Sequence, residues 1–394
     1  MKTGSHQVAG NQITLLQNGT EYFTQLCADI DAARHSIYLE TYIFFADATG
    51  RMVANALQRA AGRGVEVNVM LDGYGSAELP RHWVDELRTA GVGVQWFRRE
   101  ISPFTLHRSR YRRLSRMHRK MAAMDGEVAF VGGINIINDI PKHGDLFAPQ
   151  LDYAVRVQGA VADEIHATMR HLWDVLTWAN FRRRGNKIKW SDVIAKRHAN
   201  TSGITLVLRD NVRHRREIER AYLKAMAGAQ REIIIANAYF LPGRIFRRAL
   251  IQAAKRGVRV VLLLQGKVEY WIQHYATHAL YEQLLAAGVE INEYQASYLH
   301  AKVAVVDGQW ATVGSSNIDP FSLLMAREAN LTIQDAGFAG ELRASLLSAI
   351  ANDAVCIGGE YGGPRNFFGR LIARLSYGVV RMLIGMSGYR KRGQ

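Results

Sequence analysis

The chain repeats itself once, and that duplication restricts its fold more than any other feature. Ser36-Ile-Tyr-Leu-Glu-Thr-Tyr-Ile-Phe-Phe45 has a counterpart in Glu232-Ile-Ile-Ile-Ala-Asn-Ala-Tyr-Phe-Leu241. Ala60-Ala-Gly-Arg-Gly-Val-Glu-Val67 has one in Ala253-Ala-Lys-Arg-Gly-Val-Arg-Val260, and Leu87-Arg-Thr-Ala-Gly-Val92 in Leu284-Leu-Ala-Ala-Gly-Val289. In each copy the order reads helix, strand, helix, strand, helix, strand, then a hairpin. Apolar spacing predicts helices over 21–34 and 215–230, and over 51–62 and 244–256. The last two stop at Gly64 and Gly257. Apolar runs predict strands over 37–45, 65–71, 233–240 and 258–264. Such alternation implies an α/β fold of two repeats, each with a mixed sheet, related by a pseudo-two-fold axis. The expected divisions are a first repeat over 1–180, a basic linker over 181–202, a second repeat over 203–360 and a C-terminal segment over 361–394. With 394 residues, 48% of them apolar, there is material for two such cores.

Each copy ends in the same unit, His-x-Lys-x-x-x-x-Asp-Gly followed by Asn. His118, Lys120, Asp125 and Asn135 form the first, and His300, Lys302, Asp307 and Asn317 the second. Seventeen positions separate His from Asn in both. Asp-Gly signals a hairpin turn. His and Lys, two apart on a strand, point to one face. A turn at Asp125-Gly126 brings Gly133 opposite His118, with Asn135 just beyond. Each hairpin mouth thus gathers a His, a Lys and an Asn. Phosphodiester chemistry uses that set: Lys120, Lys302, Asn135 and Asn317 can hold non-bridging oxygens as charge develops. One imidazole can attack phosphorus while the other protonates the leaving alkoxide. Two imidazoles are needed, so the two mouths must meet at the interface of the repeats. Asp125 and Asp307, in the turns, are expected chiefly to close the hairpins.

At these residues the sequence resembles the phospholipase D superfamily and, within it, the bacterial cardiolipin synthases. Leu71-Asp-Gly-Tyr-Gly-Ser76, Met117-His-Arg-Lys120, Ile235-Ala-Asn-Ala-Tyr-Phe240 and Ala311-Thr-Val-Gly-Ser-Ser-Asn-Ile-Asp-Pro-Phe-Ser-Leu323 carry the resemblance. With no N-terminal transmembrane stretch, the B-type enzymes are the most similar. The resemblance implies transfer of a phosphatidyl group between two phosphatidylglycerol molecules, giving cardiolipin and glycerol through a phosphatidyl-histidine. It implies His118 as nucleophile and His300 as acid and base, an order that the symmetry of the motifs leaves open. It counts Asp125 and Asp307 with the active site, and it implies neither metal nor cofactor. Asp152, 34 positions after His118, and Glu328, 28 after His300, match where the superfamily keeps an acidic residue. Each is expected to fix a His tautomer. One departure is Gly132-Gly133 where the second copy has Gly314-Ser315; both are small, and no functional change is expected. The motifs do not read the acceptor, so a phospholipase or nuclease using water stays open.

The net charge of +15 calls for a polyanion, either nucleic acid or an anionic membrane. With the resemblance, the expected partners are phosphatidylglycerol, cardiolipin and the membrane surface. No nucleic acid and no obligatory protein partner are expected. From Gly91 to His118 is 27 positions, against 12 from Gly288 to His300, so the first copy carries an insertion over 96–116. Its Arg108, Arg110, Arg112, Arg113 and Arg116 alternate with apolar residues and are expected to grip lipid headgroups. Residues 367–386 read as a basic amphipathic helix, an interfacial anchor or a helix docked on the core. Without a signal-peptide h-region or an apolar run of about 18 residues, a peripheral place on the cytoplasmic face of a bacterial inner membrane is expected. Cys27 and Cys356 suit reduced thiols rather than a disulfide or zinc framework.

Overall fold

A computed structural model describes residues 4–98, 116–140, 149–182, 203–210, 214–267, 271–319 and 326–358. The first half supplies β1 (Ser5–Val8), β2 (Asn11–Gln17), β3 (Ser36–Thr41), β4 (Glu66–Asp72), β5 (Gly93–Phe97), β6 (Arg116–Met117), β7 (Met121–Met124), β8 (Val128–Gly132) and β9 (Tyr153–Gln158). The second supplies β10 (Ile204–Arg209), β11 (Glu232–Asn237), β12 (Arg259–Gln265), β13 (Glu290–Tyr294), β14 (Lys302–Val306), β15 (Trp310–Gly314), β16 (Ala326–Gln334) and β17 (Ala354–Ile357). One sheet runs β1-β2-β9-β8-β7-β3-β4-β5, the other β10-β16-β15-β14-β11-β12-β13-β17. From β2 and from β10 onward the two orders correspond strand for strand. β3-β4-β5 and β11-β12-β13 are parallel and the other neighbours antiparallel, so both sheets are mixed as expected.

The parallel strands are buried on both faces, which is why they read as unbroken apolar runs. One face of β11 and β12 carries Ile233, Ile235, Val260, Leu262 and Leu264. It packs on Ile218, Tyr222 and Met226 of helix Glu217–Gly228 and on Phe246 and Leu250 of helix Arg244–Lys255. In the first half Leu26, Ile30, Val53 and Leu57 cover Ile37, Leu39, Val67 and Val69 in the same way. The opposite faces meet in a third cluster drawn from both halves, with Tyr153 and Val155 beside Val313, Leu331, Phe338 and Leu342. Polar contacts cross there too: Tyr153 Oη lies 2.8 Å from Ser345 Oγ, and Ser345 Oγ donates to Gln17 Oε1 at 2.9 Å.

The repeat pattern covered only part of each half. It stopped at the hairpin, whereas β9 and helix Ala160–Arg182, and β16 and helix Ala336–Asp353, complete the sheets and build the shared layer. β1 and β2 also precede the first predicted helix. Among the described residues no helix is long and apolar enough to cross a membrane. Arg108, Arg110, Arg112, Arg113, most of the linker and residues 361–394 lie outside the described residues.

Candidate active site

The two catalytic hairpins are nearly as the sequence reads, with one difference of register. Met124 pairs with Val128, so the loop takes three residues, Asp125-Gly126-Glu127. Gly132 N–H therefore donates to the Lys120 carbonyl at 3.2 Å, and Gly133 falls one position short of His118. Asp125 and Asp307 occupy the left-handed region, with φ of 55° and 54°, which Asp tolerates better than most residues.

These two aspartates are not at the mouths. His118 and Asp125 lie beyond opposite ends of β7, seven residues or roughly 20 Å of extended chain apart. The Asp125 carboxylate accepts the backbone N–H groups of Arg34, His35 and Ser36 at 2.8, 2.9 and 2.7 Å. Asp307 accepts those of Gln230, Arg231 and Glu232, each at 2.8 Å. Partial burial would raise both carboxyls, but the three N–H groups outweigh it and hold each below the usual range. Grouping these aspartates with the active site reflects the motif and not their location. Each latches a hairpin tip to the turn that precedes the central strand of its sheet.

Each histidine is anchored to the opposite half, and the reason is a strand exchange. β6 leaves its own sheet and pairs in parallel with β16 of the other half. His118 N–H donates to the Arg327 carbonyl and His300 N–H to the Leu151 carbonyl, both at 2.9 Å. Each segment is also tied to its own half. Asp72 Oδ2 accepts Met117 N–H and Gln265 Oε1 accepts Leu299 N–H, both at 2.8 Å.

The exchange crosses the carboxylates. His118 Nδ1 lies 3.1 Å from both oxygens of Glu328, and His300 Nδ1 lies 2.6 Å from Asp152 Oδ2. Each His thus takes the carboxylate of the other copy and not the one that follows it in its own. Gly133 is needed for this approach, since a Cβ there would stand 2.3 Å from Asp152 Oδ1. Gly133 and Ser315 are both small, as read, but they differ in bonding: Ser315 Oγ donates to Glu328 Oε2 at 2.6 Å.

Both lysines are buried, and each Nζ donates to the carbonyl of its own His, Lys120 at 2.9 Å to His118 and Lys302 to His300. Burial pushes Lys120 down to about 7, with Glu328 opposing. Burial lowers His118 against the pull of Glu328; burial and then Lys302 take His300 down to about 4. Burial would raise Glu328, but His118 and Lys120 hold it below the usual carboxylate range. The unliganded site therefore favours neutral imidazoles, each with Nδ1 turned to a carboxylate and Nε2 left for chemistry. Asn135 and Asn317 are buried at the hairpin exits. Asn135 Oδ1 accepts Ile43 N–H at 3.2 Å, while Asn317 Oδ1 has no hydrogen-bond partner among the described residues.

Tyr42 belongs to the site although the sequence reading passed over it. Its ring meets His118 edge-on at 4.8 Å, and Lys120 Nζ is 5.2 Å from its centroid. The signal was positional: Tyr42 directly follows the carboxyl end of a central parallel strand, where open α/β sheets place ligand contacts. Of the five arginines expected to grip lipid headgroups only Arg116 is described; its Cζ lies 4.7 Å from the centroid of Tyr74. Among the described residues no group of three or more His, Cys, Asp or Glu could hold a metal ion.

A family model described as "Cardiolipin synthase, PLD-like domain" matches residues 26–173 and 222–349, one match per repeat. Cardiolipin synthase B of Escherichia coli K12 is 41% identical over 347 residues, covering 87% of this chain and 81% of that protein. A cardiolipin synthase of Geobacillus kaustophilus is 31% identical over 84% of this chain and 64% of its own length. Among solved structures, the phosphatidylserine synthase of Haemophilus influenzae superposes with a TM-score of 0.69, covering 98% of this chain and 96% of that one. At 13% identity that likeness concerns the fold alone. With both repeats matched and two interlocked His-Lys mouths at their junction, the chain belongs to the PLD-like cardiolipin synthase family.

Proposed function

We propose that the chain is a cardiolipin synthase that transfers a phosphatidyl group from one phosphatidylglycerol to another. The observation that carries this reading is the pair of half-buried, carboxylate-oriented imidazoles flanked by two buried lysines, in a chain whose relatives carry that name. An arriving phosphodiester anion counters the charge of Lys120 and Lys302, and Asn135 and Asn317 complete its cradle. Nε2 of one His, assigned to His118, attacks phosphorus. Beside the bound anion His300 takes up a proton from solvent on Nε2; as the bond from phosphorus to the glycerol oxygen breaks, that oxygen keeps the bonding electron pair and takes this proton. His300 then accepts the proton of a second phosphatidylglycerol hydroxyl as that oxygen attacks phosphorus and the phosphorus–nitrogen bond breaks. Purified protein given phosphatidylglycerol vesicles should yield cardiolipin and glycerol in equal amounts. Phosphatidic acid as the only lipid product would mean water is the acceptor, and DNA cleavage without lipid turnover would mean a nuclease.

The enzyme works from a peripheral position on the cytoplasmic side of an anionic membrane, with the site end facing the lipid. Tyr74 is 56% exposed, Ile140 46% and Ile245 56%. All three follow strand ends on the side where the mouths open. Arg244 and Arg248 are exposed beside Ile245 in the first two turns of their helix, with no acid in its first turn. Cations there oppose the helix dipole, so an external anion supplies the compensating charge. Replacing Tyr74 and Ile245 with Ser should weaken sedimentation with phosphatidylglycerol vesicles roughly tenfold or more. Turnover of a short-chain phosphatidylglycerol below its micellar concentration should be unchanged. Undiminished vesicle binding would place the docking surface elsewhere.

A further inference from the structure

Equivalent positions of the two arms carry different charges. In the first half Asp152 lies opposite Asn18, whose N–H donates to the Asp152 carbonyl at 2.9 Å and whose Oδ1 accepts Asp152 N–H at 3.2 Å. In the second half Glu328 lies opposite Arg209 in the β10–β16 register. Arg209 is 0% exposed. Its Nε donates to the Arg215 carbonyl at 3.0 Å, and among the described residues its Nη1 and Nη2 have no hydrogen-bond partner. A buried guanidinium with two unbonded nitrogens is costly to keep. What it gains is the field of Glu328, foremost among the groups that favour its charge, ahead of Asp319 and Glu219, with Arg215 opposing. Ser315, where the other arm has Gly133, adds a hydroxyl donor to the same carboxylate.

We propose that Arg209 is a positioning residue of the His118 arm alone. Its guanidinium and the Ser315 hydroxyl keep Glu328 ionised and turned to His118 Nδ1. Asp152 holds His300 with neither aid. The groups acting on Glu328 are His118 and Lys120 from the first hairpin and Ser315 from the second, with Arg209 paired opposite it on β10; Lys302 also acts on His118. The arms are therefore electrically unequal, although their motifs match. Arg209 balances Glu328, and removing that balance favours the imidazolium of His118. This deepens the phosphatidyl-transfer reading by giving the two histidines separate control, which unequal chemical tasks require.

Histidine-selective 15N NMR of the full chain tests it without turnover, so an enzyme that made no cardiolipin would leave the test standing. In Arg209→Met the His118 titration midpoint should rise by about one pH unit or more, with His300 unmoved. Arg209→Lys should titrate like the wild type. Ser315→Gly, which copies the residue of the other arm, should shift His118 in the same direction by less. The acid limb of kcat/KM should follow His118 upward in Arg209→Met and Ser315→Gly and stay in place in Arg209→Lys. An unmoved His118 in a folded Arg209→Met, or an equal shift of both rings, would overturn the proposal. Should Arg209→Met not fold, an unmoved His118 in Ser315→Gly overturns it.

Discussion

Asp152→Asn should lower kcat by roughly three to four orders of magnitude, and the ring it disturbs should be His300. The reasoning starts from the 2.6 Å contact between His300 Nδ1 and Asp152 Oδ2. A carboxylate accepts only, so it selects the tautomer with hydrogen on Nδ1 and leaves Nε2 for proton transfer. An amide can donate to Nδ1 and select the wrong tautomer, a change that costs about 10⁴ in kcat in a hydrolase triad. Glu328→Gln should do the same to His118. Single-turnover kinetics and 15N shifts of the two rings together check the crossing. If Asp152→Asn disturbed His118 and spared His300, the strand exchange would be wrong.

Asp125→Ala and Asp307→Ala should lose stability and keep most chemistry. Each carboxylate holds three backbone N–H groups at 2.7–2.9 Å. Hydrogen bonds to a charged acceptor contribute about 1.5–3 kcal/mol each when buried. These carboxylates are half-exposed, so screening reduces the total to about 1–3 kcal/mol per latch. Thermal melting should fall by several degrees for each change, while activity per folded molecule drops less than about tenfold. Lys120→Ala, by contrast, should remove activity with a smaller change in melting. The latch also has a pH signature. Both carboxyls lie below their unfolded values, so their stabilisation is complete above the unfolded pKa and is lost as pH falls through the folded one. Wild-type melting should therefore drop faster than that of the double variant on acidification below about pH 4.

The sequence made local features legible and left relative placement hidden. The mixed sheets followed from apolar runs such as Ile233–Ile235 and from glycine stops at Gly64 and Gly257. Hairpin mouths followed from the two-residue period of strands. Crossing did not follow, because no spacing within a copy records that β6 pairs with β16. Arg209 escaped notice for a similar reason. In sequence it is one arginine among many in a basic chain, and only its register opposite Glu328 separates it from a solvated cation. Ser315 looked like a neutral exchange for Gly133 because size was compared and hydrogen bonding was not. Asp125 and Asp307 were placed in their turns by the Asp-Gly signal, but their three-way grip on a distant turn depends on tertiary packing.

The exchange of the His-bearing segments makes assembly and competence one event. A molecule whose halves have not docked holds each imidazole without its carboxylate, so neither ring is set up to attack phosphorus. A nascent or damaged chain would thus be inert toward lipid, and not a slow, indiscriminate hydrolase. Such a safeguard suits an enzyme whose covalent intermediate, left open to water, would turn membrane lipid into phosphatidic acid.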